Sequence, residues 1–495
     1  MKKLSLLLVI AMLASITACG GTSNDIEDTT TAASTEAEVT VDTSLRENTP
    51  DNLPELDFKG ETVTIFYRAN QYADVVGGEE ETGDLVNDAV FNRNRKVEER
   101  LNITLEYIAY ESDVTQFSNA VRSVVTAGDD AYDIIHHAQY EQAILAVEGM
   151  LVNLIDAPYI DYDQPWWATD YMDIIAIHPD YRYQLIGDFS TSRISSVSAN
   201  FVNKRMLEDN FGSVDDFYQM ILDGNWTFEV MRKYCTDVYK DLNSDGKAGY
   251  EDILGSAVSW SSQSEHSTFS AGAKYTERGA DGYPQLIADQ SRNVEIAEKL
   301  YQMVFETEGF YYDSDYKSQT GAQLNAFKNG TMLFYVQQLG AASNYLREMN
   351  DPYGIIPRPK LDENQETYLA LVHDGVSSYS VPVTNQNLDM ACAVMEAIAA
   401  EGYRTVIPAY YEVALKVKYA QDDVSVQLID LIYNNSTTDF IYANNYVFSD
   451  AGNLGTISRK LIQNKSKDYM STYAGIQSKL EAAFETVFSE FKAKQ

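Results

Sequence analysis

Basic residues are scarce: 37 Lys and Arg stand against 74 Asp and Glu, a formal net charge of −37. A surface of that sign repels phosphate backbones and anionic headgroups, which argues against nucleic acid and against direct docking on lipid. Cysteine is nearly absent, with three in 495 residues. A disulfide framework is thereby excluded, and Cys235 and Cys392, each in a helix-like stretch, are expected to be buried free thiols. Only five histidines occur and none forms an HExxH or Cys/His cluster, so no zinc centre is expected. His136 and His137 are adjacent; in a strand they would point to opposite faces and could not share one ion. One is expected to be packed and the other to sit at a loop mouth. No GxSxG, no phosphate-cradling glycine loop and no dinucleotide fingerprint is present, so no nucleophile or base can be named. Paired glycosidase carboxylates stay open among so many acids, because sequence does not give their separation. Tryptophan is rare, with four, whereas 35 Tyr and 19 Phe supply rings suited to sugar or peptide recognition and equally to core packing.

The N-terminus is informative. Lys2 and Lys3 precede the apolar run LLLVIAML, and ITACGG places small residues directly before Cys19. The run is too short to span a bilayer and has secretory-signal architecture. It resembles the bacterial lipoprotein signal, which implies removal of residues 1–18 and a lipidated, palmitate-bearing Cys19 on the outer face of the cell membrane. An ordinary signal peptide cut near Ala18 is the alternative. Residues 19–54 are Thr-, Ser-, Ala- and acid-rich with almost no aromatics, and are expected to form a disordered tether.

The length exceeds what one core holds, so two or more lobes are expected. ETVTIFYRAN, ITLEYIAY and AYDII read as strands, with helical spacing in LVNDAVFNRNRKVEERLN and FSNAVRSVVTAG. Strands alternating with helices imply an α/β class with a mostly parallel sheet. In open α/β sheets ligands lie beyond the C-terminal strand ends, which singles out Arg68 and Asn70 after the first strand and His137 and Gln139 after the third. LIGDFSTSRISSVSANFVNKRML reads as a crossing into a second lobe. There ILGSAVS is a strand and Trp260 at its end a candidate platform. Trp166 and Trp167 suit either sugar stacking or the core.

Residues 241–252, DLNSDGKAGYED, carry Asp241, Asn243 and Asp245 at the first, third and fifth positions of a calcium-type loop. Gly246 falls where such a loop turns sharply, Lys247 would offer its carbonyl, Gly249 leaves room for water, and Asp252 closes the loop. Asp in that last place is shorter than the usual Glu. Tyr250, Ile253 and Leu254 look like entry into a strand, so the Ca²⁺ is expected to be structural rather than sensed; a solvated acidic turn is the bland alternative.

Taken in order, ITAC, FNRNRKVEERLNITLEY, AYDII, PWW, GDFS, NWTFE leading into DLNSDGKAGYEDILG, AFKNGTMLFYVQQ, YGIIPRPKLDENQ and IPAYYEVALKVKY resemble the bacterial extracellular solute-binding proteins of family 1. These are the lipoproteins of ABC sugar importers. The resemblance implies a two-lobed periplasmic-binding-protein-like fold of the class II type. Residues 55–190 and 373–405 would form the N-terminal lobe, and 191–372 and 406–495 the C-terminal lobe. Strands crossing near 190–198, 370–376 and 405–408 would form the hinge. The Gln337–Gln338 turn would join Trp260 in the second wall of the cleft. The implied function is delivery of a carbohydrate, an oligosaccharide above all, to ABC permease subunits by cleft closure. A monomer held at the membrane only by its lipid is expected. A lipid-anchored glycan hydrolase, a surface adhesin, and a binding protein for a peptide or other non-sugar solute are the alternatives.

Overall fold

The computed structural model describes residues 45–111, 113–419 and 423–493; Cys19, the signal region and most of the expected tether lie outside the described residues. Nine strands build two principal sheets. The first takes β1 (Glu61–Arg68), β2 (Ile103–Tyr110), β3 (Ile134–Ala138) and β9 (Ser377–Ser380) in the order β9-β3-β1-β2. Only β9 is antiparallel. The second takes β4 (Ser198–Asn203), β5 (Leu254–Ser259), β6 (Phe310–Asp313), β7 (Met332–Gln338) and β8 (Tyr353–Ile356) in the order β8-β4-β7-β5-β6. Its β5, β6 and β7 are parallel, while β4 runs against both neighbours.

Local chemistry explains the helices that cover the first sheet. In α1 (Leu85–Leu101), Asp84 accepts from the N–H groups of Val86 and Asn87, both at 3.2 Å, and Asn102 ends the helix in the left-handed region. In α2 (Val114–Ala127), Asp113 caps the start and Gly128, at φ 70°, the end. Helix α3 (Gln139–Val147) follows β3 directly. In the second lobe α4 (Ser262–Ser270) follows β5, and α5 (Leu388–Glu401) returns to pack on α1. The chain closes with α6 (Tyr469–Lys492), whose buried face is Tyr473, Ile476, Leu480, Phe484 and Phe488 at helical spacing.

The chain leaves the first sheet, crosses at 190–197 and enters β4; it returns between Ala370 and Ser377. These two crossings pair, with Val197 bridged to Val372 and the His373 N–H donating to the Ser196 carbonyl at 3.0 Å. The third crossing differs from the expected strand at 405–408. It is a wide, π-type helical stretch, Gly402–Val406 and Pro408–Tyr419, that continues α5 and touches both α1 and the helix Ala341–Asn344. Gly402 is required there, since a Cβ would lie 2.0 Å from the Asp188 carbonyl oxygen.

The expected tether also needs correction at its end. Residues 45–54 are fastened to the body: the Arg46 Nε donates to the Tyr403 carbonyl at 2.7 Å, and Leu53 packs on the core. Asp51 pairs with Arg100 and, at 3.0 Å, with Arg404. Burial acts to raise its pKa, but the two guanidinium groups hold it at about 2. Low aromatic content concealed this, because the attachment is ionic. Cys235 and Cys392 are buried and free.

Trp166 and Trp167 belong to the core. Their indole N–H groups donate to the two oxygens of Glu396 on α5, at 3.0 and 2.8 Å, and all three side chains are at most 4 % exposed. Gly187 makes room, since a Cβ there would come within 2.3 Å of the Trp166 carbonyl oxygen. Burial pushes the Glu396 carboxyl up to about 8, against the pull of its N–H donors. An unfolded Glu releases its proton near 4.5. The folded chain therefore keeps an extra proton between those values, and stability falls as pH rises through that window. Glu396→Gln should flatten the denaturant midpoint between about pH 5 and 8; parallel curves for the two proteins would refute the assignment. Glu396→Ala strands two buried donors and should cost about 2–5 kcal/mol, with a change in tryptophan emission.

Candidate ligand cleft

Where the two crossings pair, the lobes enclose an open cavity of about 520 Å³. One wall comes from the segment after β1, Asn70, Gln71, Ala73 and Asp74, and from the start of α1. The floor is the first crossing, with Thr191, Ser192, Ser195 and Ser196, joined by Gly375 and Ser377 from the second. The far wall is Ser343, Asn344 and Arg347, just beyond β7, and Tyr410 with Val413 come from the third crossing. Eleven of the nineteen lining residues carry a hydroxyl or an amide, interleaved with apolar surface. Such a volume and polarity suit a small polar solute with many hydroxyls.

The charged lining groups differ in availability. Asp74 accepts from the Thr191 N–H at 2.9 Å and the Thr191 hydroxyl at 3.0 Å, and also from the Ser190 hydroxyl. It thereby ties the first lobe to the crossing. Asp84 is spent on capping α1. On a neighbouring side Tyr140 of α3 meets Tyr446 of the second lobe, ring centroids 4.7 Å apart. Asp374 lies close by; burial raises its pKa, and its carboxyl is 3.2 Å from His373 Nδ1.

Of the residues expected in the cleft, the structure brings Asn70 to the lining. Arg68 stands two residues earlier, 8 % exposed, with its Nε buried and without a partner. His137 is not at a loop mouth: it is fully buried, its ring 4.3 Å from Phe117 and its Nε2 3.1 Å from the Ser118 hydroxyl. His136 is buried as well, so the expected division between the two fails. Burial depresses both imidazoles, His136 to about 4. Gln139 is likewise fully buried. Strand β3 lies inside the sheet between β9 and β1; Phe117 of α2 packs on the His137 ring, Phe189 and Tyr379 flank that of His136, and Gln139 opens α3 directly after the strand.

In the second lobe Trp260 leans to the sheet edge, its indole N–H donating to the Ser314 carbonyl at 2.9 Å beyond β6. It does not line the cavity. Gln337 and Gln338 pair with Ala199 and Ser198 in the β4–β7 ladder; the chain reaches the cavity a few residues later, at Ser343. The hydroxyl-rich crossing DFSTSRISS and the polar ASNYLR after β7 carried the missed signal, an excess of Ser and Asn beside strand ends.

The loop 241–252 is closed on itself. Asp241 accepts from Ser244 N–H at 2.6 Å and Gly246 N–H at 2.9 Å, Asn243 from Asp245, and Asp245 from Lys247. Asp252, 1 % exposed, takes the N–H groups of Leu242 and Gly249, each at 3.0 Å. Among the described residues no three His, Cys, Asp or Glu are grouped as ligands of one metal.

No protein-family model matches the chain, and no curated protein matches it either. Solved structures do. The galacto-N-biose/lacto-N-biose I-binding protein of the ABC transporter of Bifidobacterium longum, in complex with lacto-N-biose, superposes with a TM-score of 0.58 at 12% identity, covering 87% of this chain and 98% of that one. The GacH receptor of Streptomyces glaucescens gives 0.53 at 14% identity over 88% and 98%. An ABC substrate-binding protein of Listeria monocytogenes in complex with cycloalternan gives 0.52 at 10% over 88% and 99%. At such identities the likeness is one of fold: this chain has the two-lobed architecture of the sugar-binding proteins of ABC transporters.

Proposed function

We propose that this chain is an extracellular binding protein that captures a carbohydrate, an oligosaccharide above all, and hands it to an ABC importer by closing its lobes. The observation that carries the reading is the cavity of about 520 Å³ at the paired crossings, lined from both lobes by Asn, Gln, Ser and Thr. Binding rather than turnover is supported by the same lining, in which Asp74 accepts from Thr191 and Asp84 caps α1. The resemblance to sugar-bound proteins supports a glycan. Lipid attachment at Cys19 after removal of residues 1–18 would hold the body at the outer face of the membrane. No helix among the described residues is long and apolar enough to cross it.

Ca²⁺ at 241–252 belongs to the same proposal. The donor set is chemically apt: hard oxygens from Asp241, Asn243, Asp245 and Asp252 with the Lys247 carbonyl. Asp252 in particular is a buried carboxylate bonded only to backbone N–H groups. A bound cation would neutralise these charges and brace the entry to β5.

Thermal unfolding of the full chain tests both. A ligand that binds only the native state adds about 2.7 kcal/mol at roughly a hundredfold Kd, a rise of several degrees for a protein of this size. One glycan should raise the midpoint and be recovered intact. A peptide that does so while no glycan does would overturn the carbohydrate assignment; a glycan recovered cleaved would overturn binding without chemistry. Separately, EGTA should lower the midpoint and leave ligand preference unchanged, and Asp241→Ala should abolish the EGTA effect. An unaltered midpoint in EGTA would mean the loop is a plain acidic turn.

A further inference from the structure

In a chain with two acids for every base, arginines at or near the surface find partners. Arg122 pairs with Glu148, Arg205 with Asp209 and Asp351, Arg232 with Glu229, and Arg292 with Glu295 and Asp362. Arg347 is the exception in the cleft. It is exposed, lines the cavity, and makes no hydrogen bond or ion pair among the described residues. It is also the one cation among the described lining residues; of the two lining carboxylates, Asp74 accepts from Ser190 and Thr191 on both oxygens and Asp84 caps α1 through Oδ1.

We propose that the solute is an acidic glycan whose carboxylate or sulfate is received by Arg347. This rests on the glycan-binding reading above and narrows its substrate class. A guanidinium offers a planar fork of donors that matches a carboxylate or sulfate edge in two parallel hydrogen bonds. The amides of Asn70, Gln71 and Asn344 can satisfy neutral hydroxyls on the same ligand. The protein's overall negative charge does not forbid this, because at physiological salt charges more than about 8 Å away are largely screened.

Isothermal titration of the full chain would use trigalacturonate, its fully methyl-esterified form, neocarrabiose sulfate, its desulfated form, and maltotriose. One acidic probe should bind at least about tenfold more tightly than its neutralised partner, the loss expected for one charge-assisted pair. Whether trigalacturonate or neocarrabiose sulfate does so identifies the anion. Arg347→Gln should erase that preference and leave the unliganded melting midpoint unmoved, and Arg347→Lys should keep part of it. Neutral and acidic partners binding equally, with Arg347→Gln indifferent, would overturn the acidic class and leave glycan binding standing. If none of the five binds while a peptide raises the melting midpoint, the glycan reading itself falls and takes this inference with it.

Discussion

The relative placement of the lobes depends on one stretch, residues 192–198, a single helical turn (Ser192–Ser195) running into β4, which is bonded from two sides at once. On one side Val197 bridges Val372, His373 donates to Ser196, and Ser377 donates to the Ser192 hydroxyl at 2.9 Å. On the other, Leu339 donates to the Val197 carbonyl at 2.8 Å and Gly340 to the Ser195 carbonyl at 2.9 Å. Backbone groups that would be costly to bury unpaired are thereby consumed within the hinge. The cavity lies at this junction, so its floor moves with neither lobe alone.

Around the junction many polar groups are buried and most of them are bonded to one another, although His266 and the Arg358 Nε keep buried nitrogens without a partner. Every side chain of α4 is buried, although eight of its nine residues are polar. Gln263 accepts from the Ser259 N–H at 3.0 Å and donates to Gln323 at 2.7 Å. Glu265 is fully buried against Arg459, with both oxygens 3.0 Å from its Nε. Arg358 has only the neutral acceptors Asn200 and Ser267, and burial pulls its pKa down to about 9. Such groups specify a single arrangement of α4 on its sheet, because sliding by one residue would leave several of them unpaired.

The strands and helices of the first lobe were legible because period and caps agree: ITLEYIAY is β2 to the residue, and Gly128 ends α2. The cleft was less so. Counting to the end of a strand selects Arg68, His137, Gln139 and Gln338, whereas the lining begins two to five residues further on, after the chain has turned. Whether a strand-end side chain faces solvent depends on which strands and helices flank it. The order β9-β3-β1-β2 brings β9 from more than two hundred residues away to cover His137, and no local pattern announces that. Trp166 and Trp167 were ambiguous for the same reason: their partner, Glu396, is some 230 residues distant. Nothing in GYRTVIPAYYEVALKVKY distinguishes the wide helix from an ordinary one.

The lobes are also tied at places remote from the cavity. The Tyr181 hydroxyl donates to the Phe491 carbonyl at 2.9 Å, and Arg278 of the second lobe donates to the Ala176 carbonyl at 2.8 Å. Ile177 and Tyr181 share a core with Phe484, Phe488 and Phe491 of α6. On the proposed closure these contacts, which join the lobes away from the cavity, would leave rotation that narrows the mouth between Asn70–Gln71 and Ser343–Arg347. A ligand gains from that rotation only through contacts made in the narrowed state and absent in the wide one. A solute touching the serine floor alone would bind both states equally and report nothing. A solute long enough to reach the Asn70 wall and Arg347 together draws its differential affinity from the span itself, which ties recognition of length to recognition of chemistry in one step.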